Sequence, residues 1–154
     1  MLHHQCTLDE IAGIANVSSM NELRDIALSV LERLQPPVAQ VCGPITTGGR
    51  GTVVENMRFF SFAVKQLHES GIVVFDQMIF QTGMLKLRKV GSSEYSQDIL
   101  DVFYRGLFSS GHIRRLYFLP DWRSSIGATW ERVEATRHQI EVLDYPLHLI
   151  SDFA

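Results

Sequence analysis

The sequence predicts an α/β domain in which a parallel sheet is covered by helices on both faces. Three observations carry that expectation. Short apolar runs at 38–42, 72–75 and 116–119 are bounded by glycine, proline or charged residues, as buried strands are. Longer stretches between them repeat apolar residues at helical spacing. Polar, glycine-containing loops follow the first and third runs, where such folds place their ligands.

The elements follow in order. Thr7 with Glu10, and Ser19 with Glu22, fit the capping box, a hydroxyl residue followed three positions later by Glu. After the second box, Leu23, Ile26, Ala27, Val30, Leu31 and Leu34 form an apolar stripe that must be buried on the domain or on another subunit. Pro36-Pro37 ends that helix, so residues 1–36 read as an N-terminal helical extension and 37–154 as the α/β domain. Residues 43–51 form a glycine-rich loop, and Val53, Met57, Phe60, Val64 and Leu67 mark a helix that closes at Gly71. Strand 72–75 completes a parallel crossover. Residues 76–90 read as loop with local structure. Ser93 or Ser96 is expected to cap a helix through Asp98, Ile99, Val102, Phe103 and Leu107 that ends at Gly111. The third strand stops at Pro120, a second polar loop covers 121–127, and a helix follows through Trp130, Val133 and Ile140. The tail 146–150 offers a last strand. The sum is a flavodoxin- or Rossmann-like three-layer domain with a parallel sheet of four to five strands.

Composition narrows the function. The chain has 154 residues, 45% of them hydrophobic, so it can build a core. A formal charge of −3 gives no global attraction for nucleic acid or anionic lipid, although one phosphate could still be held locally. Cys6 and Cys42 are far apart and read as free thiols, which favours the cytoplasm. The six histidines, the adjacent His3 and His4 included, show no metal-ligand spacing, and no metal site is expected. No basic segment followed by an apolar core begins the chain, and no run is long enough to span a bilayer, so neither a signal peptide nor a membrane partner is expected.

Two loops carry the candidate chemistry. In the first, glycines let backbone N–H groups approach an anion, the next helix N-terminus adds its dipole, and Thr46, Thr47 and Arg50 supply further donors. The loop matches neither the Walker pattern nor the dinucleotide fingerprint. In the second, Gly127 opens a helix and Glu131 lies one turn on, where the dipole favours an ionised carboxylate; the same dipole also explains an ordinary surface glutamate. Asp98 and Asp101 are candidates for the second acid that glycosidic cleavage needs, or are solvated helix residues. Trp122 and Tyr117 could stack on a base but equally suit a core, and Arg114-Arg115 reads as a strand-edge charge pair.

Taken together, Val41-Cys42-Gly43-Pro44-Ile45 with Gly48-Gly49-Arg50, the helix around Gln97-Asp98, and Ser125-x-Gly127-x-x-x-Glu131 resemble the nucleoside 2-deoxyribosyltransferase superfamily. The likeness is greatest to its branch of 2′-deoxynucleoside 5′-monophosphate N-glycosidases and spans roughly 38–142. It implies a double displacement in which Glu131 attacks C1′ of the sugar and Asp98, with Asp101 as its rival, protonates or orients the departing base. Water, or a second base, then takes the sugar. Gly43, Thr46, Gly49, Arg50, Ser125 and Gly127 are implied to hold the 5′-phosphate or nearby sugar. The resemblance also implies a small-molecule nucleotide or nucleoside as substrate, no cofactor, and a homodimer or larger homo-oligomer. Gln40 stands where that family often carries a tyrosine, which motivates the alternative of a non-catalytic nucleotide-binding or regulatory module.

Overall fold

The computed structural model describes residues 5–90 and 95–154. His3, His4 and the expected cap Ser93 lie outside the described residues, as does the side chain of Ser96.

Helices α1 (Leu8–Ala15) and α2 (Met20–Arg33) open the chain. The Thr7 box forms in full: Thr7 Oγ1 accepts from the Glu10 amide at 3.1 Å, and Glu10 accepts from the Thr7 amide at 2.9 Å. The second box is shifted by one residue. Ser19 accepts from the Glu22 amide, but the Glu22 carboxylate reaches back to the hydroxyl of Ser18 at 2.7 Å. Leu23, Ala27, Val30 and Leu31 are buried against Val38, Phe75, Phe80, Met84, Phe103 and Leu107. The α2 stripe thus enters the core that lines one face of the sheet.

Three parallel strands, β1 (Val38–Cys42), β2 (Ile113–Phe118) and β3 (Glu141–Asp144), lie in that order. Every residue of β1 is buried, as expected of a central strand. The run 72–75 lies on its other edge, where it pairs with Ala39 through one bridge at Val74. The Ala39 amide donates to Val73, and the Phe75 amide donates back to Ala39, both at 2.8 Å. The expected second strand is therefore reduced to one bridge, and among the described residues the sheet has three strands rather than four or five. The tail is also corrected. Residues 147–149 form a 3₁₀ turn after Pro146, which has no N–H to offer a ladder, and the last strand is the segment before it.

Helix α3 (Val53–Glu69) covers one face, burying Phe60, Val64 and Leu67 together with Asn56, Phe59 and Ala63, while Val53 is exposed. Helix α4 (Gln81–Val90) lies in the segment read as loop. The helix expected around Asp98 is composite: α5 (Tyr95–Asp98), a π-helical stretch Ile99–Tyr104 and α6 (Arg105–Ser109). Helix α7 (Ile126–Arg137) packs on the opposite face from α3, capped by Ser125, whose Oγ accepts from the Ala128 amide at 3.1 Å. No helix among the described residues is long and apolar enough to cross a membrane.

Candidate functional site

The chain leaves β1 toward one edge of the sheet, at Val74, and returns to the other edge of β1 as β2, so the order reverses between β1 and β2. A crevice forms at such a reversal because the following connections diverge. A cavity of about 90 Å³ sits there, lined by Gly43 and Thr46 after β1 and by Ser125, Gly127 and Glu131 after β2. Its opposite wall is apolar, with Met84 from α4, Ile99, Leu100 and Tyr104 from the π stretch, and Phe60 from α3. π segments recur at functional sites, since one extra residue per turn redirects the side chains that follow.

The two loops are built as one unit. Asn56, buried on α3, donates to the carbonyls of Ile45 at 3.1 Å and Gly48 at 3.0 Å and accepts from the Arg50 amide at 2.7 Å. The Gly49 amide donates to Ser124 Oγ at 2.9 Å, and the Ile126 amide to Thr47 Oγ1 at 3.0 Å. Gly48 and Gly49 have φ of 69° and 71°, and a Cβ on either would collide with Ser124 or with Asn56 and Pro44. These glycines serve the loop's own packing. Gly127 differs: the nearest atom to a Cβ placed there would be Ser125 Oγ at 3.9 Å, so a side chain would fill cleft space.

Glu131 is the one carboxylate lining the cavity among the described residues, and it is only 7% exposed. Val38, Gln40 and Cys42 alternate onto one face of β1, toward α7. From there Gln40 Nε2 donates to Glu131 Oε2 at 2.7 Å, and the Cys42 thiol donates to the same carboxylate. Burial dominates over these two hydrogen bonds and pushes the Glu131 carboxyl up to about 8. Burial and the charge of Glu131 push the Cys42 thiol far above its usual range. Gln77, 2% exposed and also lining the cavity, donates Nε2 to the Val41 carbonyl at 2.7 Å, which leaves its Oε1 without a hydrogen-bond partner among the described residues.

Of the residues singled out in the sequence, Gly43, Thr46, Ser125, Gly127 and Glu131 meet at this cavity, and Gly49, Arg50 and Asp98 do not line it. The Arg50 guanidinium lies over the rings of Phe59 and Phe153, 5.0 and 4.9 Å from their centroids. Asp98 is exposed on α5, and Asp101 pairs with Arg105 at 3.1 Å and accepts from Gln97 at 2.7 Å. Tyr117 is a core residue, Trp122 packs edge-on against Phe118, and Arg115 pairs with Glu141 across the β2–β3 edge. Sequence reasoning missed Asn56, Gln77 and the apolar π wall. A polar residue in the buried stripe of α3 was the available signal for Asn56; nothing local marks Gln77. Among the described residues no cluster of His, Cys, Asp or Glu could hold a metal ion. Comparison with family models, with curated proteins and with solved structures finds no match to this chain.

Proposed function

We propose that this cleft cleaves, or transfers across, the N-glycosidic bond of a nucleoside 5′-monophosphate, with Glu131 as nucleophile. One observation carries the reading: Glu131 lines the same cavity as Gly43 and Thr46 after β1 and Ser125 and Gly127 after β2. The sugar would lie over Glu131, the 5′-phosphate against the helix terminus at Gly127 and the hydroxyls of Thr46 and Ser125, and the base against Ile99, Leu100 and Met84. Attack of the carboxylate on C1′ breaks the C1′–N bond and leaves its electron pair on the base, which takes a proton from water at the open mouth of the cleft as it departs. Hydrolysis of the glycosyl ester by water, or attack by a second base, regenerates Glu131. Gly49 and Arg50 serve loop architecture in this reading rather than the phosphate.

The enclosed cavity is small beside the roughly 300–1,000 Å³ of ordinary ligand pockets, so part of the nucleotide would occupy its open mouth. Assembly into a homodimer or larger oligomer, a fold of flavodoxin or Rossmann type and a cytoplasmic location belong to the same reading; light scattering tests the first.

The placement of Asp98 outside the cavity favours a second reading, a nucleotide-binding module without turnover. A panel of nucleoside 5′-monophosphates, incubated with the protein with and without an added nucleobase, separates the two by chromatography. Free base from at least one nucleotide supports the enzyme. Calorimetric binding with the nucleotide intact after long incubation selects the module, and neither binding nor release removes both.

A further inference from the structure

The middle of β1 carries a side chain that its position does not explain. Gln40 is fully buried, between Ala39 and Val41 in a strand of otherwise apolar residues. Its carboxamide touches the cleft acid on one side only: Nε2 lies 2.7 Å from Glu131 Oε2 and 3.8 Å from Cys42 Sγ, and Oε1 has no hydrogen-bond partner among the described residues. An unpartnered buried carbonyl is unfavourable, and an apolar residue of similar shape would avoid it.

The chemistry of donors and acceptors accounts for it. A carboxylate only accepts, so it requires the amide nitrogen facing it. A neutral carboxylic acid donates, and a half-turn of the carboxamide about its last torsion then presents Oε1 to the acid's O–H and to the Cys42 S–H. The two orientations occupy the same volume. We propose that Gln40 is the positioning residue of the cleft: its carboxamide turns with the protonation state of Glu131 and so holds that side chain in one place whether charged or neutral. On ionisation the Glu131 proton passes to water, the Glu131 O–H···Oε1 bond of Gln40 is lost, and the N–H···carboxylate bond replaces it.

Burial keeps Glu131 neutral in neutral solution, so both states lie in an accessible pH range. Few other groups compete. Cys42 faces the acid from β1, Tyr104 lines the cavity from the π stretch, and Arg132, next to Glu131 on α7, acts at this site through its field on Cys42. The mechanistic meaning of this pairing rests on Glu131 being the reactive group, but its measurement does not.

The test is NMR on the ligand-free protein, following the Glu131 carboxyl carbon, assigned with Glu131→Gln, and the Gln40 side-chain NH₂ from pH 5 to 10. The proposal expects both signals to move with one shared midpoint. It also expects Gln40→Met, which keeps the volume and removes both polar atoms, to raise the Glu131 midpoint by about one pH unit, because the lost bond favoured the charged form more than the neutral one. Gln40 signals that stay fixed while Glu131 titrates, or an unchanged midpoint in Gln40→Met, would overturn it. Should that variant fail to fold, the shared midpoint in the unmodified protein decides. Coupled titration without base release from any nucleotide would leave the positioning role standing and remove the glycosidase reading.

Discussion

A glutamate that is almost wholly buried ties reactivity to stability. In the unfolded chain Glu131 titrates near 4.5, and in the native protein near 8. Between those values the native state holds a proton that the unfolded chain has lost, so this group's contribution to stability is complete below pH 4.5 and falls as pH rises through 8. The slope is about 1.4 kcal/mol per pH unit at most. Denaturant melts at pH 5, 7 and 9 should show that loss in the unmodified protein and a smaller one in Glu131→Gln, which is expected to be the more stable of the two at pH 9. The reactive form is the ionised one. Base release should therefore rise with pH, with a midpoint near 8, the reverse of a reaction that uses the neutral acid.

At the scale of elements, the loops after β1 and β2 divide structural work from ligand work. Asn56→Ala removes three hydrogen bonds that tie the first loop to α3 and should cost about 2–3 kcal/mol in a denaturant melt, with the cleft distorted. Gly127→Ala should behave in the opposite way. With space around the new methyl and a better helix former in the first turn, stability is held or raised by up to about 1 kcal/mol, while nucleotide affinity measured by calorimetry falls. This contrast also marks what the sequence made legible. The loops after the first and third apolar runs, the hydroxyl caps of α1 and α2, and the meeting of Gly43 with Glu131 all follow from local patterns: breakers, hydroxyl caps and strand-end placement. The side of the helix on which Asp98 falls does not. Ile99, Val102, Phe103 and Leu107 fit an α-helical period, and the π stretch rotates the chain within that pattern without leaving a mark in it. Glu141-Val142-Leu143-Asp144 escaped notice because a short edge strand with charged ends lacks both the apolar run of a central strand and a clean alternation.

For the molecule as a whole, the N-terminal helices are part of the main core. Ile14, Val17, Leu23, Ala27 and Leu31 pack with Phe75, Phe80, Phe103 and Phe108, and Gly83 of α4 lies so close to Leu23 and Ile14 that a side chain there would collide. Deleting residues 1–35 should expose that phenylalanine cluster, and light scattering with thermal melts is expected to find an aggregated chain or one without a cooperative transition. An intact, cooperatively folding remainder would mean that these helices are a dispensable extension. Their packing places α4 and the π stretch, and through them the apolar wall of the cleft. Glu131 is where this architecture meets chemistry, and the most direct measurement compares the unmodified protein with Glu131→Gln for nucleotide binding by calorimetry and for free-base release. Similar affinity is predicted, with a loss of release of about a thousandfold or more, because the substitution keeps the side chain's size and removes its nucleophilic charge. Base release at an undiminished rate from Glu131→Gln would contradict a nucleophilic role for this carboxylate.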